Sequence, residues 1–316
     1  MKKDLRIVFM GTPEFAVTIL DKLIQENHNI VGVITAPDKP AGRGRKLNES
    51  AVKRYATQKG LNLLQPKNLK DEDFIKELEG LEANLQVVVA FRMLPKVVWQ
   101  MPQYGTFNLH ASLLPQYRGA APINWAIING EAKTGVSTFF IDEKIDTGEM
   151  ILQKETEILP NENAGQLHDK LMHLGSELVI ETIRLIEKGE VNTKPQPIIK
   201  DIKTAYKLNK ENCKINWNKN SKSIINLIRG LNPYPAAWTQ LINNKNTLQV
   251  KIYDAEFIKE KHDYKIGDII TTKKTIKIAV NDGLINILEI KLPGKRKMEI
   301  QSLLNGYIFH SEAKML

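Results

Sequence analysis

Leu5-Arg6-Ile7-Val8-Phe9-Met10 runs directly into Gly11-Thr12-Pro13-Glu14. Apart from Arg6, the first six residues are apolar, as expected of a strand buried on both faces of a parallel sheet. The Gly-Thr-Pro-Glu turn then leads into a helix, with Thr12 as the expected N-cap and Pro13 as the first helical residue. Apolar residues at 15, 16, 19, 20, 23 and 24 mark one face of that helix. Further along, Ile30–Thr35, Leu85–Phe91, Thr106–His110 and Gly135–Ile141 read as strands, with helical patterns between most of them. Residues 163–188 read as a long amphipathic helix. This order predicts an α/β domain with a largely parallel sheet. Ligands of such a domain bind beyond the carboxyl ends of the strands. The glycine fingerprint of a dinucleotide site and the Walker glycine-lysine motif are both absent. The turn at Gly11-Thr12-Pro13 therefore reads as structural, with its backbone N–H groups facing the ligand edge.

The fourth strand carries the chemistry. Phe107-Asn108-Leu109-His110-Ala111-Ser112-Leu113-Leu114-Pro115 continues into Gln116-Tyr117-Arg118-Gly119-Ala120-Ala121-Pro122. Residues i and i+2 of a strand share a face, so Asn108 and His110 project side by side. One can donate to a carbonyl oxygen while the other moves a proton. Asp146 follows in an Asp146-Thr147-Gly148 turn between two strand-like segments, which can return its carboxylate to the same edge. A carboxylate beside an imidazole orients the ring and favours its protonated form. His28, His168, His173 and His262 lack such neighbours and read as packing or surface residues. No His, Cys or Asp cluster has metal-ligand spacing, so no metal is expected. Ser112-Leu113-Leu114-Pro115 reads as a stiff turn, with Leu114–Pro115 a candidate for a cis bond. It could hold a flat, partly apolar ligand, with Arg118 and Gly119 shaping the mouth. Residues 35–47, Thr-Ala-Pro-Asp-Lys-Pro-Ala-Gly-Arg-Gly-Arg-Lys-Leu, follow the second strand and combine two prolines, two glycines and four basic residues. Their position at the ligand edge suits a clamp on a phosphate-rich substrate.

Charge points the same way. The chain has 316 residues and a formal net charge of +9. Residues 1–208 hold 27 basic and 26 acidic side chains, and residues 209–316 hold 18 and 10. The excess therefore lies in the last third, as on a polyanion-binding surface. Length favours two domains. Gly189-Glu190-Val191-Asn192-Thr193-Lys194-Pro195-Gln196-Pro197 has linker character. Residues up to about 208 show no strong periodicity. Beyond them a helix at Ser221–Leu231 precedes short alternating strands at 248–254, 267–272, 275–280 and 284–290, with a tight turn at Asn281-Asp282-Gly283. A small β-barrel is expected there. The division expected is 1–189 catalytic, 190–208 linker and 209–316 basic barrel. One cysteine, Cys213, excludes an intramolecular disulfide within the chain and reads as an incidental thiol. No apolar run is long enough to span a bilayer, and the first residues lack the apolar core of a signal peptide. The expectation is a cytoplasmic protein with no membrane partner, acting as a monomer.

Taken together, Phe9-Met10-Gly11-Thr12-Pro13-Glu14-Phe15, Pro37-Asp38-Lys39-Pro40-Ala41-Gly42-Arg43-Gly44, residues 107–125, Ile145-Asp146-Thr147-Gly148 and Leu231-Asn232-Pro233-Tyr234-Pro235-Ala236-Ala237-Trp238 resemble the methionyl-tRNA formyltransferase family over essentially the whole chain. Residues 107–122 are typical of all enzymes that use 10-formyltetrahydrofolate. The basic loop and the C-terminal part point to the tRNA enzymes among them. The resemblance implies a Rossmann-like domain followed by an OB-like barrel that contacts tRNA. It also implies formyl transfer from 10-formyltetrahydrofolate to initiator methionyl-tRNA. It places the catalytic trio on Asn108, His110 and Asp146, and the folate turn on Ser112, Leu113, Leu114 and Pro115. The acceptor-stem loop falls on residues 35–50, with Arg43 central and Arg45 and Lys46 beside it. Arg92 departs from the small or aromatic residue common at its position. Three other readings stay open on residues alone: formyl transfer to a small amine, hydrolysis of the formyl donor, and a noncatalytic tRNA-binding module.

Overall fold

A computed structural model describes residues 3–41 and 46–316. By compactness the chain divides into two units. One comprises Met1–Gly119, Thr134–Glu157 and His168–Thr204. The other comprises Ala120–Lys133, Ile158–Leu167 and Ala205–Leu316. Residues 120–133 and 158–167 thus group with the C-terminal residues, where a cut at one linker assigns them to 1–189.

In the first unit, strand β1 (Arg6–Gly11) leads to helix α1 (Glu14–Gln25), β2 (Asn29–Ile34) and a short hairpin of β3 (Lys39–Ala41) and β4 (Lys46–Asn48). Helix α2 (Ala51–Gln58), β5 (Leu63–Leu64), α3 (Glu72–Gly80), β6 (Leu85–Val89), α4 (Lys96–Trp99) and β7 (Thr106–His110) follow. The chain then passes through β8 (Arg118–Gly119), α5 (Pro122–Ile128), β9 (Lys133–Phe140), β10 (Met150–Glu157), α6 (Ala164–Lys188) and β11 (Thr204–Ala205). The main sheet has the order β10-β9-β7-β6-β1-β2-β5. Strands β7, β6, β1, β2 and β5 run parallel, and β9 is antiparallel to β7. From β1 the chain builds outward on one side through β2 and β5, and on the other through β6 and β7. The switch lies between β1 and β6, and doubly wound sheets open their ligand crevice at such a point.

Alternation along the strands explains the layers. Val8, Met10, Ile34 and Val88 pack with Phe74 and Leu78 of α3 and with Val98 of α4. On the opposite face Leu109 lies so close to α6 that a Cβ on Gly175 would stand 2.8 Å from its Cδ2. Helix α1 buries Phe15, Ala16, Ile19, Leu20 and Leu23 of the stripe expected from its periodicity, and Ile24 is half-buried. Its start differs from the expectation. Pro13, not Thr12, is the N-cap, and no side chain caps the helix. The Ala16 N–H donates to the Pro13 carbonyl instead, at 3.0 Å. Strand β6 ends two residues before the expected Phe91, because Ala90 takes a left-handed φ of +48°. The helix expected over 163–188 begins with a reciprocal cap. Gln166 N–H donates to Asn163 Oδ1, and Asn163 N–H donates to Gln166 Oε1, both at 3.0 Å.

In the second unit, α7 (Ser221–Leu231) precedes β12 (Ala237–Asn243), β13 (Asn246–Ile258), β14 (Ile269–Thr271), β15 (Ile276–Val280), β16 (Gly283–Lys291), β17 (Met298–Glu299), α8 (Ile300–Leu304) and β18 (Lys314–Met315). The sheet order is β14-β15-β16-β13-β12-β18. Its two ends meet where Asp268 bridges Lys314, so the expected barrel is nearly closed. Strand β12 escaped the sequence reading. Trp217, Ile224, Ile228, Trp238, Ile252, Ile278, Ile287 and Cys213 share one core. Burial pushes the Cys213 thiol pKa up.

Ile252 is fully buried on β13 between Ala237 and Ile290. Its replacement by Ala should cost about 2–5 kcal/mol of unfolding free energy. The denaturation midpoint should fall with an unchanged slope.

Candidate active site

Asn108 and His110 end β7 on the face opposite Leu109, and Ser137 of β9 lies across from His110 in register. Asn108 is half-buried and makes no side-chain hydrogen bond among the described residues. Its amide is free to meet a ligand. His110 is only 7% exposed. Its Nε2 lies 2.8 Å from the Tyr117 carbonyl oxygen. A carbonyl only accepts, so Nε2 carries the hydrogen, and in the neutral ring Nδ1 is left with its lone pair. Nδ1 faces Asp146, with Oδ2 at 3.8 Å. That separation permits charge pairing and is too long for a direct hydrogen bond. Gly119 N–H donates to the same Oδ2 at 2.9 Å and fixes the carboxylate.

The structure thus brings Asn108, His110 and Asp146 to one edge of one unit. Asp146 sits at φ +54°, left-handed for a residue with a side chain. Gly148, two residues on, has no alternative. A Cβ there would lie 1.7 Å from the Phe140 carbonyl oxygen.

Residues 112–116 are held from inside. Leu114–Pro115 is cis. Ser112 Oγ donates to the Gln116 carbonyl at 2.7 Å, and Ser137 Oγ donates to the Ser112 carbonyl at 2.6 Å. Leu114 N–H donates to Ser137 Oγ at 3.1 Å, and Gln153 Nε2 donates to the Leu114 carbonyl at 2.8 Å. Ser112, Leu114 and Pro115 are buried, and Leu113 and Gln116 are half-buried. The turn's polar groups are largely spent on the fold, so what it offers a ligand is mainly its shape and Leu113. Ser137, Gln153 and the Tyr117 carbonyl escaped sequence reasoning, as did the contact from Gly119 N–H to Asp146. Tyr117 and Gly119 act through backbone atoms, which any residue could supply.

Arg43 and Arg45 lie outside the described residues, as does the side chain of Lys46. The ends of the segment are described and are anchored. Lys53 on α2 pairs with Asp38 and with Glu49, the latter at 2.9 Å. Gln65 Nε2 donates to Asp38 Oδ1 at 2.9 Å, and the Thr35 and Ser50 hydroxyls meet at 2.7 Å. The hydrogen bond from Lys53 lowers the Asp38 carboxyl pKa, and that bond also raises the Lys53 pKa. Arg92 turns away to the carbonyls of Pro66 and Lys67, the latter at 2.9 Å. Burial lowers its pKa.

Replacing Gly148 by Ala should force the turn off the Phe140 carbonyl and displace Asp146. We expect the turnover number to fall by at least about tenfold while circular dichroism stays native.

Comparison with known proteins identifies the family. Residues 5–183 match the formyl transferase family, and residues 207–308 match its C-terminal domain. A methionyl-tRNA formyltransferase of Flavobacterium johnsoniae is 64% identical over 99% of both chains. One from Bacteroides fragilis is 52% identical over 99% of this chain and 98% of its own. Among solved structures, an N-formyltransferase from Helicobacter canadensis shares the fold at 22% identity. Its TM-score is 0.63, with 90% of this chain and 98% of that one covered. The sheet, the barrel and these matches lead to one assignment: the chain belongs to the methionyl-tRNA formyltransferase family.

Proposed function

We propose that the chain transfers the formyl group of 10-formyltetrahydrofolate to the α-amino group of methionine on initiator tRNA, yielding N-formylmethionyl-tRNA for translation initiation. The observation that carries this reading is the 64% identity to the Flavobacterium johnsoniae enzyme over 99% of both chains. The formyl donor is a co-substrate, and the residues proposed for the chemistry involve no metal. The role in translation fits the cytoplasm, and no helix among the described residues is long and apolar enough to cross a membrane. One chain carries Asn108, His110 and Asp146 together, so a monomer suffices.

In this mechanism the amine lone pair attacks the formyl carbon, and the carbonyl electrons move to oxygen. Asn108 donates to that oxygen as it becomes negative. Such a donor is typically worth about 10²–10³ in rate. His110 takes the amine proton on Nδ1, the nitrogen that Tyr117 leaves unprotonated. The resulting imidazolium faces Asp146. Collapse breaks the bond from the formyl carbon to folate nitrogen, which leaves with the proton that His110 holds, and the ring returns to its neutral form. Ser112, Leu113, Leu114 and Pro115 wall the folate. Arg43, Arg45 and Lys46 grip the acceptor stem from a segment whose ends Asp38, Lys53, Thr35 and Ser50 hold in place.

His110→Ala should slow single-turnover formylation of methionyl-tRNA by about 10²–10⁴-fold. A rate within about threefold of wild type would remove His110 from the chemistry. Labelled formyl should reach methionyl-tRNA and neither uncharged tRNA nor water. In the second unit, Lys210 and Lys214 both stand over the Trp238 ring, 5.4 and 5.6 Å from its centre. Replacing both by Gln should weaken tRNA binding. It should also reduce the slope of log affinity against log salt by about 0.9 for each duplex phosphate that is no longer neutralised.

A further inference from the structure

Residues 190–203, which read as a linker, lie across the active-site loops of the first unit. Lys194 and Met150 exchange backbone hydrogen bonds at 2.8 and 3.0 Å. Tyr117 N–H donates to the Lys203 carbonyl at 2.6 Å, and Lys203 N–H donates to Gln116 Oε1 at 2.7 Å. Gln116 Nε2 donates to the Asp201 carbonyl at 3.3 Å. Between these points the Gln196 side chain is the centre of the arrangement. Its Nε2 donates to the carbonyls of Asp146 and Gly148, both at 2.9 Å. Its Oε1 accepts from Arg118 Nε at 3.1 Å and from Arg118 Nη2 at 2.6 Å. Both donors and both lone pairs of the amide are used, which is its full capacity.

What this amide holds is the residue that most needs holding. Asp146 keeps a left-handed backbone, a conformation that persists only where the surroundings fix it. The partner on the other side, Arg118, sits between the two residues that set the geometry of the pair. Tyr117 orients the His110 ring through its carbonyl, and Gly119 orients the Asp146 carboxylate through its N–H. Through Arg118, Gln196 ties the Asp146 turn to the same strip of backbone that fixes His110.

We propose that Gln196 is a positioning residue of formyl transfer, acting through Asp146 by clipping its turn to Arg118. The proposal rests on the role given to Asp146 above. A staple that merely fastens the 190–203 segment would affect stability or substrate affinity. A positioning residue affects turnover, and only while Asp146 has its carboxylate. The test uses the full-length chain with Gln196→Leu, Asp146→Asn and the double variant, assayed with methionyl-tRNA and 10-formyltetrahydrofolate. Gln196→Leu should lower kcat about 10–100-fold, with both KM values within about threefold of wild type. In the Asp146→Asn background the same change should cost less than about threefold further, because residues that act as a unit are not additive. Arg118→Leu, which removes the other end of the clip, should reproduce the pattern and serves if Gln196→Leu does not fold. The proposal is overturned by a kcat within about threefold of wild type, by a loss carried by KM, or by a full loss in the Asp146→Asn background. A wild-type kcat in Asp146→Asn alone would instead remove Asp146, and the proposal with it.

Discussion

The hydrogen bond between His110 Nε2 and the Tyr117 carbonyl is the constraint on which the site depends. It selects one tautomer, turns the ring, and leaves Nδ1 toward Asp146. A carbonyl can do this only if its own backbone stays put. The loop from Ala111 to Gly119 is accordingly pinned from three directions. Ser137 of β9 and Gln153 of β10 hold its turn, and Lys203 takes the N–H of Tyr117 itself. The sheet serves the loop as much as the loop serves the sheet. Because β9 runs antiparallel beside β7, Ser137 arrives opposite His110 with its hydroxyl in reach of two turn groups.

Under the proposed function, two kinds of recognition are kept apart in the chain. The carbonyl chemistry belongs to a nearly neutral stretch of sequence, where half-buried groups must be placed to within fractions of an ångström. The excess positive charge belongs to residues 209–316, where long side chains act over several ångströms and need no such placement. The proposed acceptor-stem segment combines the two habits. Its basic residues Arg43, Arg45 and Lys46 are clustered in sequence, while its ends are fastened by a network of specific side chains.

The elements were legible where one physical rule acted locally. Thr106–His110 and Ser221–Leu231 follow from periodicity, and the two-residue repeat placed Asn108 and His110 on one face without knowledge of what lay opposite. Thr12 misled because a hydroxyl before a proline satisfies the capping pattern, yet the backbone of Pro13 supplies the first turn. β12 was obscured by the prolines and aromatic residues at its start. The supports of the site were illegible for another reason. The carbonyl of Tyr117 and the N–H of Gly119 have no signature in residue type. Gln196 lies in a stretch with no period, where its partners are 50 and 78 residues away.

That separation has a consequence for how the protein comes into being. Synthesis runs from the N-terminus, so Asn108, His110 and Asp146 all leave the ribosome before Gln196 and Lys203. A nascent chain that ends near the close of α6 at Lys188 carries the three side chains without the segment that steadies them. The first unit cannot finish its active-site wall until about fifteen further residues, ending at Lys203, have followed. On the roles proposed for these residues, competence therefore follows the 190–203 segment in the order of translation.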